Sequence, residues 1–334
     1  MINPMKFLRN RKVGLALGSG GAKGLSHIAV IEYLENLKIP IDMISGSSIG
    51  SVIGAVYLCG NMNKFKEDMM VLTKKEMLAI ADITLPKSGL LKGNNFIKFL
   101  TKYIPADAKI EDLPKPLAIV ATDYFTGKPI IFRKGNILEA IRASVSIPGV
   151  LVPVAYGNTF LIDGGVANPL PIDIIKDMGA GFTIAVNLHP GLKVSKIKKY
   201  VKNGAEKIGI NLFPEDIQYA DDKQSVSVPD HKNDHTGWFK NIDQWLSRGK
   251  ENKNGKEKDS YPSIFEVLFQ TIDIMEYVNT QNTLKYHKPT VLIEPNLLEI
   301  GTLDFNHARN IMITGYAASA DKKFAITRKI KFWI

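Results

Sequence analysis

The first part of the chain alternates short apolar runs with segments of helical spacing. Val13–Leu17 is a short apolar run that ends in a glycine cluster, so we interpret it as a buried strand. In Leu25–Leu37, apolar residues recur at three-residue steps up to Pro40, which indicates a helix. Ile41–Ser45 then indicates a second strand, and Ser48–Leu58 a helix of small residues. This order of elements predicts a parallel α/β sheet.

The same alternation continues further along the chain. Strands are predicted at Leu117–Ala121, Ile130–Phe132, Phe160–Ile162, Phe182–Leu188 and Val291–Ile293, and a helix at Ile137–Ala143. Lys, Asn, Asp and Ser dominate 191–262, which we interpret as one polar, basic insertion. The sequence therefore predicts a single domain at 12–320, between an N-terminal extension, 1–11, and a C-terminal tail, 321–334.

The composition is that of a globular chain with a basic balance. Of the 334 residues, 45% are hydrophobic and 23% charged, and the formal net charge is +10. This balance favours anionic partners such as phospholipid headgroups, and a solvated lysine-rich surface explains it equally well. The one cysteine, Cys59, rules out an internal disulfide, and no apolar run reaches the roughly 20 residues of a membrane span. Since we also find no secretory signal, we expect a cytoplasmic protein, with peripheral contact at the inner membrane face as a hypothesis.

A glycine loop joins the first predicted strand to the first predicted helix. Gly18–Gly24 reads GSGGAKG, and the backbone N–H groups of such a loop favour anions. Lys23 is followed by Gly rather than Ser or Thr, which argues against a phosphate-binding P-loop, and the G-x-G-x-x-G of a dinucleotide site is incomplete. Two interpretations remain at this point: an oxyanion hole made of glycine amides, and a tight turn with no chemical role.

The second glycine motif has the pattern of a nucleophile elbow. Gly46–Gly50 reads GSSIG and matches G-x-S-x-G between a strand and a small-residue helix. Such a turn lifts the central hydroxyl, that of Ser48, above the sheet, and the two glycines let neighbouring backbone approach. Other serines lie nearby without this central position: Ser45, Ser47 and Ser51.

A nucleophilic serine needs a base, and the sequence offers two kinds. Asp163–Gly165 reads DGG at the end of a short predicted strand, where a carboxylate can accept the proton directly; a turn aspartate that caps the next segment is the alternative. His189, at a strand end, is the candidate for a Ser-Asp-His triad. The other histidines stand in no motif, and none has zinc-ligand spacing: His27, His231, His235, His287 and His307.

Taken together, these blocks resemble the patatin-like phospholipase family, which includes bacterial patatin-like serine acyl hydrolases. The resemblance covers roughly 12–190 and 263–320, and it rests on a glycine loop ending in Lys-Gly, a G-x-S-x-G elbow and a D-G-G block in that order. Flanking segments also match: Ala121–Asp123, Arg142–Gly149, Asn168–Pro171, Val291–Pro295 and Gly301–Phe305. Ser19 departs from the family, which usually has glycine there.

The resemblance implies both a fold and a chemistry. The fold is a single three-layer α/β/α domain with a mainly parallel central sheet and an inserted lid-like segment. The chemistry is a Ser48–Asp163 dyad with an oxyanion hole at Gly20 and Gly21, assisted by Lys23, and it needs no metal or other cofactor. The supporting motif glycines are Gly18, Gly24, Gly46, Gly50, Gly164 and Gly165.

The implied activity is that of a lipid acyl hydrolase of the phospholipase A, lysophospholipase or esterase type, acting through an acyl-enzyme on phospholipid or another acyl ester. A lipid acyltransferase on the same fold and a non-catalytic, membrane-associated regulatory protein are the alternatives. We expect no nucleic-acid partner, since no recognised binding motif accompanies the positive charge. Oligomeric state is left open by the sequence.

The polar insertion carries two features of interfacial segments. Six lysines interleave with aliphatic residues: Lys193, Lys196, Lys198, Lys199, Lys202 and Lys207. An apolar set follows at helical spacing: Trp238, Phe239, Ile242, Trp245 and Leu246. A lid or membrane-docking element is one hypothesis for this pattern, and a packed surface helix with a solvated lysine face is the other.

Overall fold

The computed structural model describes residues 12–73, 75–76, 80, 91–192 and 264–331. The strands are β1 (Lys12–Leu17), β2 (Met43–Ser47), β3 (Leu117–Asp123), β4 (Pro129–Phe132), β5 (Val154–Tyr156), β6 (Thr159–Asp163), β7 (Ala180–Val186) and β8 (Val291–Ile293). The α-helices are α1 (Ser26–Asn36), α2 (Ile49–Leu58), α3 (Met62–Val71), α4 (Asn94–Leu100), α5 (Ile137–Ser144), α6 (Ile172–Asp177), α7 (Ile264–Tyr286), α8 (Ala308–Asp321) and α9 (Lys323–Lys331).

The strands form one mixed, mostly parallel sheet, as the sequence predicts. Its order is β5-β6-β3-β2-β1-β7-β8, with β4 paired to β3 outside this path. The pairs β1–β2, β1–β7, β2–β3 and β7–β8 are parallel, whereas β3–β4, β3–β6 and β5–β6 are antiparallel. In parallel α/β sheets, ligands bind at the carboxyl ends of the strands.

Helices cover both faces of the sheet, which makes the three-layer architecture. Leu15 and Leu17 of β1 pack in the main apolar cluster with residues of α1, α2 and α8, such as Ile28. Ala16, which points to the opposite face, packs in a separate cluster with Ile175 of α6. A central strand buried on both faces must be apolar at every position, which explains the unbroken apolar run of β1.

The register of β3 determines what meets at the carboxyl edge of β2. Residues Ile119 and Val120 pair with β4 and also with β2, so β2 and β4 lie on opposite sides of β3. Ala121 and Thr122 pair with β4 and also with β6, so β6 lies on the same side of β3 as β2. The end of β6 therefore meets the end of β2, along the same flank of β3.

Several elements extend or add to the sequence prediction. The pattern did not indicate β5, α3, α4 or α6, and β2 begins at Met43 rather than Ile41. The segment separated as a tail, 321–334, contains the whole of α9, whose Ile326 and Ile330 are buried in the main apolar cluster. These two residues are four positions apart and therefore lie on the same face of α9, which packs in the core.

The chain divides into two compact units, one of residues 1–192 with 270–334 and the other of residues 193–269. The lysine and aromatic sets of the polar insertion lie outside the described residues, so the lid hypothesis stays a prediction. Among the described helices, none combines the length and apolarity that crossing a membrane requires.

Candidate active site

Ser48 occupies the tight turn between β2 and α2. Its φ of 52° and ψ of −121° are unusual for a residue with a side chain, and such a conformation is strained by about 1–3 kcal/mol. The hydroxyl of Ser144 holds the turn, because it accepts from Ser48 N at 2.9 Å and donates to the carbonyl of Val120 at 2.6 Å. The serine is thus fixed at the carboxyl edge of the sheet, against the first turn of α2.

Close contacts with neighbouring backbone atoms explain why both ends of the elbow motif are glycine. A Cβ on Gly50 would lie 2.2 Å from the carbonyl oxygen of Leu17, at the end of the neighbouring strand. A Cβ on Gly46 would lie 2.6 Å from the Gly50 carbonyl. The elbow motif is therefore a packing requirement as well as a conformational one.

Ser48 and Asp163 are in direct contact. The Ser48 hydroxyl donates to Asp163 Oδ2 at 2.6 Å, and both side chains are buried, each residue about 5% exposed. Asp163 Oδ1 accepts from Gly165 N at 2.7 Å, while the Asp163 backbone carbonyl accepts from the hydroxyl of Thr122. Both carboxylate oxygens and the backbone are thus held, so the carboxylate stays directed at the serine.

The environment makes Asp163 a stronger base than an ordinary aspartate. Burial raises the pKa of Asp163, the nearby carboxylate of Glu276 raises it further, and hydrogen bonds from Ser48 and Gly165 oppose them; the result is a pKa of about 7. An aspartate in water has a pKa of about 3.9 and is a weak acceptor of a serine proton. A base whose pKa lies near the working pH combines ionisation with proton affinity.

Two residues of the glycine loop, Gly20 and Gly21, line a cavity beside Ser48. Within the loop, the amides of Ser19, Ala22 and Lys23 donate to backbone carbonyls. In the described part of the chain, the amides of Gly20 and Gly21 have no such acceptor, and both residues line the cavity beside Ser48. An oxyanion hole requires such unpaired amides, whereas a tight turn without a chemical role does not.

A buried histidine forms a hydrogen bond with the start of the glycine loop. His27 is fully buried on α1, and its Nε2 lies 2.8 Å from the carbonyl oxygen of Gly18. Burial lowers the pKa of His27 to about 4, so the ring is neutral at pH 7 and donates from Nε2. The sequence left open whether this residue was packed or at the surface; in the structure it fastens the start of the loop.

Lys23 of the glycine loop and His189 contact two carboxylates of α7. Lys23 Nζ is 3.6 Å from Asp273 Oδ1, and His189 Nε2 is 2.9 Å from Glu276 Oε2. His189 Nδ1 lies 4.0 Å from Asp273 Oδ1. His189, the sequence candidate for a triad, therefore contacts these two carboxylates of α7, and the carboxylate that contacts the Ser48 hydroxyl is Asp163.

The cavity next to Ser48 is small and mostly apolar. Its volume is about 20 Å³, which is room for about one water molecule. The lining residues are Gly20, Gly21, Ser48, Ile147, Pro148, Asp163, Val166, Ile272, Glu276 and Thr302. An acyl group therefore enters only if some of these apolar side chains move.

The structure brings the three sequence motifs together at one edge of the sheet. Gly18 follows β1, Gly24 lies in the short 3₁₀ turn before α1, and Gly164 and Gly165 begin another 3₁₀ turn after β6. The residue that sequence analysis missed is Glu276. It belongs to no motif, and its position becomes informative only once α7 is packed against the motifs.

The chain is similar to one family model and to proteins of other organisms. Residues 15–176 match the model of the family described as patatin-like phospholipase. An uncharacterized NTE family protein of Mycobacterium tuberculosis is 29% identical over 323 residues, which are 92% of this chain and 89% of that protein. Lysophospholipase NTE1 of Meyerozyma guilliermondii is 27% identical over 330 residues, 96% of this chain and 20% of that protein.

Among solved structures, the crystal structure of VipD from Legionella pneumophila aligns with 93% of this chain and 66% of its own. The TM-score is 0.41 and the sequence identity 15%.

Proposed function

Because residues 15–176 of this chain are a patatin-like phospholipase domain, we propose that the protein is a lipid acyl hydrolase that cleaves carboxylic esters with Ser48 as nucleophile and Asp163 as base. The observation that carries the proposal is the 2.6 Å hydrogen bond from the Ser48 hydroxyl to the buried Asp163 carboxylate. It joins two residues that are 115 positions apart in sequence. Nucleophile and base in direct hydrogen-bond contact is the geometry that proton transfer requires.

The proposed reaction has two halves. Asp163 accepts the hydroxyl proton as Ser48 Oγ attacks the acyl carbonyl, and the amides of Gly20 and Gly21 stabilise the tetrahedral oxyanion. The departing alcohol takes the proton from Asp163, which leaves the acyl group on Ser48. Asp163 then accepts a proton from water, the hydroxide oxygen attacks the ester carbonyl, and collapse returns the proton to Ser48 and releases the carboxylic acid.

The surroundings of Ser48 support each of these roles. The two loop amides without a backbone acceptor can bind a developing negative charge, and each such donor contributes about 2.7–4 kcal/mol in well-studied enzymes. Lys23 belongs to the same loop and is buried, and its positive charge has an assisting role in this proposal. The apolar lining of the cavity, with Ile147, Val166 and Ile272, suits a hydrocarbon chain.

We propose a phospholipid or lysophospholipid as the substrate class. The support is the family description and the name lysophospholipase that a relative carries. The net charge of +10 is compatible with substrate presented in an anionic membrane. Peripheral membrane contact, a cytoplasmic site of action and the dyad itself are parts of this proposal.

The test is covalent labelling followed by turnover. A fluorophosphonate probe should label the wild type on the peptide that contains Ser48, and a p-nitrophenyl ester of medium chain length should be hydrolysed. Ser48→Ala should abolish both, and Asp163→Asn should lower both by several orders of magnitude. Ser47→Ala is the matched control, because the neighbouring hydroxyl has no hydrogen-bond partner in the described residues and its loss should leave both readouts near wild type.

Other outcomes would give the protein a different role. An unlabelled wild type with an intact fold would favour a non-catalytic membrane protein of the same fold. Labelling with faster transfer to an added alcohol than to water would make the protein an acyltransferase. A mass-spectrometric adduct on any serine other than Ser48 would overturn the assignment of the nucleophile.

A further inference from the structure

Helix α7 supplies a carboxylate to the active site that none of the three motifs contains. Glu276 is 6% exposed and lines the cavity together with Ser48 and Asp163. Asp273, one turn earlier, faces the same way, because residues three apart share one side of a helix. The helix thus presents two carboxylates to the glycine loop and the dyad.

The Glu276 carboxylate packs against the backbone that holds Asp163. A Cβ on Gly165 would lie only 1.9 Å from Glu276 Oε1, so the second glycine of the D-G-G block makes space for this carboxylate. The amide of the same Gly165 donates to Asp163 Oδ1 at 2.7 Å. One glycine therefore separates two buried carboxylates and binds one of them.

The Glu276 carboxylate has a direct contact with His189. His189 Nε2 lies 2.9 Å from Glu276 Oε2, while the other ring nitrogen faces Asp273, which in turn contacts the Lys23 ammonium. The two nitrogens thus face different carboxylates, and the imidazole lies between them. Although burial alone raises the pKa of Glu276, the neighbouring His189, Ser19 and Lys23 lower it below the ordinary value, so Glu276 is ionised at neutral pH.

We propose that Glu276 is a positioning residue of the active site: its fixed negative charge, held by His189 against Gly165, makes Asp163 a better acceptor of the Ser48 proton. The inference rests on the proposed function, since it concerns the strength of the proposed base. Two carboxylates in one buried pocket resist simultaneous ionisation, so a charge on Glu276 increases the proton affinity of Asp163. His189, next to the Lys23–Asp273 pair, keeps the Glu276 carboxylate beside Gly165.

The experiment compares pH profiles of kcat/KM for the p-nitrophenyl ester in wild type, Glu276→Gln and Glu139→Gln. Glu139 is exposed on α5, which makes the same chemical change a control away from the site. In Glu276→Gln, the pH of half-maximal activity should fall by about one unit, the scale of coupling between such groups. The rate on the alkaline plateau should fall as well, because a weaker base remains.

Glu276→Asp separates charge from packing. Its retained charge, drawn back from Gly165 by one methylene, should move the half-maximal pH in the same direction but by less. It also serves as the test if Glu276→Gln does not fold. A half-maximal pH equal to that of wild type in both folded variants would overturn the proposal and leave the proposed hydrolase intact.

A readout without turnover distinguishes this failure from failure of the proposed function. The stability of the wild type should fall between pH 5 and pH 7 as Asp163 ionises, and that fall should be smaller in Glu276→Gln. If the wild type neither labels nor turns over, the proposed function fails, and an equal stability slope in both proteins would then refute the coupling as well. An unequal slope would support it.

Discussion

Asp163→Asn should make the protein more stable at alkaline pH while it removes activity. The substitution keeps the size of the side chain and its main hydrogen bonds. The amide oxygen still accepts from Gly165 N, and the amide nitrogen donates to Ser48 Oγ in place of the reverse bond. What changes is that the buried group no longer ionises.

The magnitude follows from the difference in pKa between the two states. Asp163 has a pKa of about 7 in the folded chain and about 3.9 when unfolded, so between these values the folded state binds a proton that the unfolded state has lost. The free energy of unfolding then decreases as pH rises, by about 1.4 kcal/mol per unit, and levels off above pH 7. From pH 5 to pH 8 the wild type should lose about 3 kcal/mol through this group, a loss that Asp163→Asn does not share.

The assay is urea unfolding at pH 5, 6, 7 and 8, followed by intrinsic fluorescence. The stability of Asp163→Asn minus that of wild type should grow by about 3 kcal/mol across the series, since all other groups titrate alike in both proteins. Asp107→Asn, at an exposed position, serves as the control. A difference that stays constant with pH would refute a raised pKa of Asp163, and with it the account of the base.

Three further outcomes test the same site. In the wild type, kcat/KM should rise with pH and reach half its maximum near pH 7, because only ionised Asp163 accepts a proton; a flat profile from pH 5 to 8 would contradict this. Ser144→Ala should lower the free energy of unfolding in urea by about 2–4 kcal/mol, because the Ser48 amide and the Val120 carbonyl lose their buried partner. It should also slow fluorophosphonate labelling at least tenfold. A loss of stability below about 0.5 kcal/mol would contradict this role of Ser144. Gly50→Ala should yield little folded protein by circular dichroism, since its Cβ meets the Leu17 carbonyl at 2.2 Å, and near-normal yield would show that the elbow can relax.

The local parts of the site could be predicted because each depends on a few neighbouring residues. The elbow around Ser48 needs glycines on both sides for steric reasons, and the loop Gly18–Gly24 needs residues that tolerate positive φ, as Gly20 and Gly21 do. The alternation of apolar and helical segments likewise follows from burial on two faces, so β1 and α2 were predicted to within one residue. The pattern missed β5 and α6 because each is too short to show a period.

What the chain by itself determined is the list of chemical groups and the strands that end at them; which groups meet was decided by the tertiary structure. Asp163 contacts Ser48 because β6 pairs with the same side of β3 as β2, directly after the last residue of β3 that pairs with β2. This depends on the register of strands that are more than a hundred residues apart in sequence. Glu276 reaches Asp163 because α7 packs beside the glycine loop. Register and helix packing are the sum of many weak contacts distant in sequence, and no short motif records them.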